Sequence, residues 1–548
     1  MKFTVLPNEK STPSFKTKFA LKRDNWNDYG LQIFYQLFRR NDERGGEPDL
    51  IGSVRILLPG GEETNRMTIS EDFSTLPMNA RSVGSSLDYY ERLSALTEQE
   101  RSAVTAALND LVANPELRSE TSRYEGYGKS LFRDVEDIDN FYEDADAVLR
   151  SDFSQLPDLS EPFTFQPGGW DDPLEFNFEA YNDSWSTWGG ERMGTNGPRV
   201  ALPRRVAVLI GRNGCGKSTL LSRLARVAFA NPSDRKEKRN AKLGKITPSE
   251  FGFTRIISIS YSAFDSFQIP GLHAEERAQI SRDMEIGQGR FIFCGLRDIA
   301  AEYADTLGAV ADEEDELERR SSTKLKDLKA LAREFADLLK AIEKKDRLTV
   351  FQDGLEVILS DASFGDIEER TVVDLVGNDP AKAFMGWSTG HKIAIHVLAS
   401  ITAHCQRKSI VLFDEPETHL HPPLIAALMR ALRIVLEQTN AFCIIATHSP
   451  VILQETLARH VFIIERDGDI FSVRQPKVET FAESIGALTY DSFGLTAENT
   501  YFSRTLKRLV NSAEEPDDIE ELFPLGLSAQ AEAIVMSLFA RKRQSDDG

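Results

Sequence analysis

The sequence contains no uninterrupted apolar run of the roughly 18–20 residues that a spanning helix needs, which excludes a chain that crosses a bilayer as a helix. Cysteine is scarce: Cys215, Cys294, Cys405 and Cys443 lie far apart and form no CxxC pair. That excludes a disulfide framework or a zinc knuckle and points to buried thiols in a reducing compartment. Positive charge is in short supply too, with 65 Lys and Arg against 86 Asp and Glu, a net of −21. Summed repulsion opposes coating nucleic acid or an acidic membrane over the whole surface, while leaving room for one local basic groove. The N-terminus, MKFTVLPNEKSTPSFKTKF, lacks an apolar core of signal-peptide length, so the expected localisation is cytoplasmic.

With 548 residues, 41% of them apolar, there is material for several domains of about 100–200 residues each. Phe15, Thr17, Phe19 and Leu21 alternate with polar residues, and Tyr29, Leu31, Ile33, Tyr35 and Leu37 repeat the period of two, which predicts two paired strands. The acidic run from Asp134 to Asp146 reads as a solvated face. From Pro162 to Pro198 the chain turns rich in Gly, Pro and aromatics, a shift that marks a boundary. Leu325, Leu328, Leu331, Phe335, Leu338 and Ile342 recur at steps of three and four behind an acidic lead-in, Asp312 to Glu316, and predict one amphipathic helix. Its heptad pattern is too short for a long coiled-coil arm.

The apolar strand RRVAVLI runs into Gly211-Arg212-Asn213-Gly214-Cys215-Gly216-Lys217-Ser218-Thr219, which fits G-x-x-x-x-G-K-[ST]. Glycines let backbone N–H groups turn inward around phosphates, Lys217 adds a mobile positive charge, and the Ser218 hydroxyl can ligate Mg²⁺. Apolar residues at Leu220, Leu221, Leu224, Val227 and Ala228 place a helix after the loop. Downstream, the buried-type strand SIVLF ends in Asp414-Glu415-Pro416, with Asp414 suited to hold Mg²⁺ and Glu415 to act as base on the attacking water. The next strand, AFCIIA, ends in Thr447-His448-Ser449-Pro450, where His448 can reach the terminal phosphate.

Three strand ends in this order resemble the ABC-type ATPase family, and Trp387-Ser388-Thr389-Gly390-His391-Lys392 opening IAIHVLASI is similar to its LSxGxx signature. The resemblance implies an α/β P-loop ATPase head: a mainly parallel sheet, an antiparallel β subdomain contributed largely by the N-terminal region, and a helical lobe. It implies ATP and Mg²⁺ as cofactors, and Ser388, Thr389 and Gly390 binding an ATP held by a second subunit, so that ATP joins two heads. Trp387 departs from the usual Leu. The DEPETHLHP segment (Asp414 to Pro422), with TGHKI, IIATHSPVILQE and ETFAESIGALTYDSFGL, resembles the RecF, Rad50 and OLD-like branch, and within it the stand-alone ATPase subunits of antiphage systems such as Septu and related retron modules.

By position His419 and His421 fall in the D-loop of that family, His421 where Asp is usual; the alternative for His419, His421 and His448 is a zinc site. Gln268 is the candidate for the Q-loop glutamine that touches Mg²⁺ or its water, the alternative being that Asp265 matters instead. Trp185 or Trp188 either stacks on adenine or packs in a loop. The basic run Arg235, Lys236, Lys238, Arg239, Lys242 and Lys245 either meets phosphate backbone or is a solvated loop.

The expected organisation is an N-terminal mixed region over 1–190 contributing to the head, a phosphate-loop lobe over 191–300, a helical lobe over 301–384, a lobe with signature, metal-binding strand and sensor His over 385–500, and a tail over 501–548. The expected function is an ATPase that self-associates around ATP and regulates a partner effector, a nuclease, in antiphage defence, with DNA or RNA met through the complex and no membrane. No nuclease site is expected in the chain itself: the stretch from Val461 to Phe471 reads as a hairpin turning at Asp467-Gly468. The alternative is a Rad50-like DNA-clamping ATPase.

Overall fold

The computed structural model describes residues 1–8, 14–24, 33–41, 47–58, 69, 71–133, 135, 137–154, 156, 162–178, 202–249, 251–271, 274–304, 318–365, 379–493 and 501–546. The first five strands, β1 (Phe3–Leu6), β2 (Phe19–Arg23), β3 (Phe34–Asn41), β4 (Glu47–Leu57) and β5 (Arg81–Gly84), make one sheet in sequential order, parallel between β1 and β2 and antiparallel elsewhere. The pairing of β2 with β3 is the one that the alternation predicts, with Leu21 opposite Leu37. Helices Leu87–Ser94 and Ile138–Arg150 close a core of Phe19, Leu21, Tyr35, Leu37, Tyr89, Tyr90 and Val148.

A three-stranded antiparallel sheet follows, β6 (Phe163–Pro167), β7 (Leu174–Phe176) and β9 (Gly244–Thr247), in the order β7-β6-β9. The central sheet holds β8 (Val206–Gly211), β10 (Arg255–Ser260), β11 (Phe291–Gly295), β12 (Ser409–Asp414), β13 (Phe442–Thr447), β14 (Val461–Asp467) and β15 (Ile470–Arg474). Its order is β11-β10-β12-β13-β8-β14-β15, parallel throughout except for the β14–β15 hairpin. That hairpin turns at Asp467-Gly468, as the sequence predicts.

A parallel sheet covered on both faces needs strands that are apolar at every position. β8 and β13 are buried along their whole length. Val208, Ile257, Val411 and Ile445 face one core, shared with helices Leu328–Lys344, Thr389–His404 and Pro422–Thr439; Leu209, Ile256, Leu412 and Ile444 face the other, shared with helix Lys217–Phe229 and the three-stranded sheet. This is the α/β architecture of a P-loop ABC-type ATPase head.

The antiparallel sheet beside the phosphate loop is built from β6 and β7, which fall within the expected 1–190 region, together with β9: Phe163, Phe165 and Phe176 share a core with Phe253 and Phe462, whereas β1 to β5 have a core of their own. Two features differ from the sequence reading. The acidic run is not wholly a solvated face. Asp144 is buried and bonded to Lys408 (2.7 Å), one of four ion pairs among the described residues by which the two helices on the N-terminal sheet dock on the head, with Glu91–Arg255, Asp88–Arg290 (2.9 Å) and Arg92–Asp283 (2.8 Å). The amphipathic helix begins at Leu328, capped by Asp327, whose carboxylate accepts from Ala330 N (2.7 Å). Leu331, Phe335, Leu338 and Ile342 are buried, but Leu325 and Leu328 are exposed. Its acidic lead-in lies outside the described residues.

Helices Leu348–Leu359 and Pro380–Gly386 complete the helical lobe, and helices Tyr501–Ser512, Pro516–Glu520 and Ala529–Asp546 pack on one another around Leu506, Val510, Val535 and Phe539. All four cysteines are buried and unpaired. Among the described residues no helix is long and apolar enough to cross a membrane.

Candidate functional site

Parallel pairing brings the carboxyl ends of neighbouring strands into one row. Ser260 of β10 stands opposite Asp414 of β12, Asp414 opposite Ala446 of β13, and Thr447 opposite Ile210 of β8. Ligands of open α/β sheets bind along such a row. From the end of β8 the chain turns through Gly214 (φ 79°) and Gly216 (φ 94°), left-handed conformations that favour glycine, before helix Lys217–Phe229 begins. This turn places the helix N-terminus, with its unsatisfied N–H groups, at the row.

Lys217 is 5% exposed and its Nζ donates to Gly211 O (3.0 Å), Arg212 O (3.3 Å) and His448 Nε2 (2.9 Å). Burial pulls the Lys217 ammonium below its ordinary value, opposed by the Cys215 thiol and the carboxylates of Asp414, Glu415 and Glu417. Burial, then the Lys217 charge, lowers His448 to about 4, against a backbone hydrogen bond to Gly211, so the imidazole is neutral at pH 7 and accepts from the ammonium. Ser218 Oγ donates to Asp414 Oδ1 (3.0 Å). Burial raises Asp414 to about 7, with Glu415 and Asp265 adding to the effect and the Ser218 bond and Lys217 opposing it. A carboxyl group held that high among hydroxyl and carboxylate oxygens suits a hard divalent cation, which restores its ionised form. The donor set at Ser218 and Asp414 therefore fits Mg²⁺.

Glu415 has a left-handed backbone (φ 48°), uncommon for a residue with a side chain, and its Oε1 lies 3.9 Å from His448 Nε2. Beside it sits a residue that sequence reasoning missed. Glu417 accepts from Thr447 Oγ1 (2.8 Å) and from His448 N (2.5 Å), so the third acidic residue of DEPE ties the His448 loop to the end of the Asp414 strand. The signal was in the motif, but nothing in spacing alone gives a pairing across 31 residues.

Ser388 caps helix Thr389–His404, its Oγ accepting from His391 N (3.3 Å); Ser388 and Thr389 are exposed, and Gly390 lies close to His419 O. Trp387 packs edge-on against Phe335 and Phe384, so the indole joins the helical lobe to the signature. His421 caps helix Pro422–Thr439, its Nδ1 accepting from Leu424 N (3.3 Å) while Nε2 lies 3.5 Å from Asp361 Oδ1. His419 is exposed with φ 68°. His421 and His448 thus serve different loops, and among the described residues no group of three or more His, Cys, Asp or Glu is placed to hold a metal.

Gln268 and Asp265 both line a small cavity with Ser218 and Asp414. Gln268 Oε1 accepts from Tyr303 OH (2.7 Å), and Asp265 Oδ1 accepts from Arg297 Nη1 (3.2 Å). A larger cavity of about 580 Å³ on the other side of the phosphate loop is walled by Trp170, Asn213, Lys217, Glu415, His448 and Phe471, among others. Trp170 stacks on Phe471 with centroids 4.7 Å apart and planes 7° from parallel. Trp185 and Trp188 lie outside the described residues. Within the basic run, the Arg235 guanidinium binds the carbonyls of Val227, Ala230, Ser249 and Phe251, so it holds its own loop together.

Residues 298–454 match the family model described as "AAA domain, putative AbiEii toxin, Type IV TA system", a span that contains the signature, Asp414, Glu415 and His448. The chain is 29% identical over 545 residues to protein ea59 of Escherichia phage lambda, covering 93% of each. Among solved structures, the ADP conformation of an ATP-binding cassette of an ABC transporter matches at 12% identity and a TM-score of 0.24, covering 54% of this chain and 84% of that one. A Smc head bound to the C-winged helix domain of ScpA matches at 12% identity and a TM-score of 0.26, covering 57% and 96%. With scores that low, the fold rests on the strand order and loop geometry above. Residues 298–454 are thus similar to an AAA-type domain.

Proposed function

We propose that this protein binds ATP with Mg²⁺, hydrolyses it between two copies of itself, and regulates a partner nuclease in antiphage defence. The observation that carries the reading is the convergence of Lys217, Ser218, Asp414, Glu415 and His448 on one phosphate loop, while Ser388 and Thr389 stand exposed at a helix N-terminus. Lys217 and the loop N–H groups bind the phosphates, and the Trp170–Phe471 pair borders the same pocket. Ser218 and Asp414 hold Mg²⁺, which neutralises phosphate charge when bound. Glu415 takes the proton of the attacking water, and neutral His448 donates its ring N–H to an oxygen at the terminal phosphate end of the pocket. Ser388, Thr389 and Gly390 of a second copy present their helix start to the same phosphate, and His419 and His421 line the adjoining loop.

The effector half of the reading draws on the resemblance to Septu and retron ATPases. A family description that names a toxin and a toxin–antitoxin system, and a relative encoded by a phage, are consistent with a regulated effector in the contest between phage and host. The test is ATP turnover and association together. Glu415→Gln is expected to abolish turnover while stabilising an ATP-bound dimer, and Ser388→Arg to abolish that dimer. Wild-type turnover in the first variant removes Glu415 as the base, and unchanged association in the second removes the contact between copies.

A further inference from the structure

The small cavity beside Ser218 and Asp414, about 40 Å³, is also lined by Ser258, Ser260, Asp265, Gln268 and Arg297. Ser260 is 2% exposed and its Oγ has no hydrogen-bond partner. An orphaned buried hydroxyl is destabilising, and a polar chamber large enough for about one water of roughly 30 Å³ is where such a group finds its partner. Ser260 ends β10 directly opposite Asp414 in the strand register, so its orphan faces the metal-binding strand.

Asp265 is the second polar group of this wall, its side chain 10% exposed. Both bonds that hold it use Oδ1, from Arg297 Nη1 (3.2 Å) and Phe267 N (3.1 Å); among the described residues Oδ2 has no hydrogen-bond partner. Arg297 is itself fixed, 1% exposed and bonded through Nε and Nη2 to the two oxygens of Glu302 (3.1 and 2.6 Å). Gln268, by contrast, has its amide oxygen engaged by Tyr303 OH.

We propose that Asp265 and Ser260 hold water of the Mg²⁺ hydration shell at the Ser218–Asp414 site, the task that the motif pattern gives to Gln268. The inference rests on the ATPase reading. Mg²⁺ dehydrates reluctantly and keeps several waters in nucleotide sites, so residues that bind those waters set its retention. They act as positioning residues, and loss of such outer contacts typically weakens metal binding by about 10–100-fold.

The test titrates Mn²⁺ by electron paramagnetic resonance into the full chain with a non-hydrolysable ATP analogue, and separately measures analogue affinity in EDTA. Asp265→Asn is expected to weaken Mn²⁺ by about 10–100-fold and Ser260→Ala by about tenfold, both leaving metal-free analogue affinity unchanged. Asp265→Asn removes a partner of buried Arg297 and risks misfolding, so Ser260→Ala decides: wild-type Mn²⁺ affinity in that variant overturns the proposal. A wild-type chain that binds no analogue overturns the ATPase reading and this inference with it, whereas analogue binding with unaltered Mn²⁺ affinity in Ser260→Ala overturns the inference alone.

Discussion

Removing the Glu417 carboxylate should be among the most damaging single changes near the phosphate loop, although Glu417 touches no phosphate-binding residue except through a backbone. Glu417→Ala leaves two donors, Thr447 Oγ1 and His448 N, without their acceptor. The Thr447 hydroxyl can rotate, and it already accepts from Ser449 N (2.9 Å), so most of the loss falls on His448 N. One fully orphaned donor and one weakened bond together cost about 3 kcal/mol. Glu417→Gln should cost only about 1 kcal/mol, because the amide oxygen serves His448 N and the amide N–H₂ donates to Thr447 Oγ1. Burial already pushes the Glu417 carboxyl above its ordinary value, so a neutral replacement gives up little charge stabilisation. Urea unfolding reads the stability difference at constant slope. Steady-state ATP turnover reads the displacement of His448, and a shift of about 1 Å at such a group lowers turnover by up to about 100-fold. If Glu417→Ala unfolds within about 0.5 kcal/mol of wild type and turns over ATP normally, the tie between the two loops is not what positions His448.

Two further predictions concern the scaffold. His396 is fully buried between Tyr261, Cys294 and Glu334, and burial holds it at about 4, the Glu334 carboxylate opposing and Lys326 reinforcing that shift. A group depressed below its ordinary 6.5 contributes stability that is complete above that pH and is lost as pH falls toward 4, a gap worth about 3 kcal/mol. Urea midpoints at pH 7.5 and 4.5 should therefore converge in His396→Gln relative to wild type, and an identical acid loss in both would refute this assignment. Lys408→Met should destabilise the chain by about 3–5 kcal/mol, since it leaves the buried Asp144 carboxylate unpaired. Lys408→Met with Asp144→Leu should recover most of that loss, and a neutral single variant in calorimetry would show that the N-terminal sheet docks by other means.

What could be read from the sequence followed the chain locally. The phosphate loop, Asp414 and His448 each end a short apolar strand, and a strand end followed by Gly, Asp-Glu or Thr-His is a contiguous pattern that fixes both the element and the side of the sheet. The β14–β15 hairpin was legible for the same reason, through Asp467-Gly468. The aromatic pair bordering the pocket, Trp170 and Phe471, was not. Trp170 becomes a neighbour of the phosphate loop only because β6 and β7 fold over helix Lys217–Phe229 and present it to Phe471, while in the same contact the Asp172 carboxylate accepts from Val473 N, 301 positions further along the chain.

Charge was the least legible quantity, and the reason is physical. A run of like residues in sequence says nothing of which carbonyls or carboxylates will surround each one. Arg235 stands in a run that the sequence leaves open to phosphate backbone or to solvent, and it is consumed by backbone carbonyls; Asp144 looked solvated and neutralises Lys408 in an interface. Arg255 bonds both Glu91 of helix Leu87–Ser94 and His404 O at the end of helix Thr389–His404, where Arg347 also donates to Thr402 O (3.0 Å) and Lys345 to Ala403 O (2.7 Å). Cations gathered at a helix C-terminus are favourable, opposing the partial negative charge of the free carbonyls. A net charge of −21 therefore coexists with a concentrated internal use of the positive side chains: at Lys217 for the carbonyls of its own loop and His448, at Arg297 for Asp265 and Glu302, and at Arg255, Arg347 and Lys345 for the far end of the helix whose near end carries Ser388. Because the same rigid helix joins those two ends, the ion pairs that dock the N-terminal sheet also fix the base from which the signature is presented.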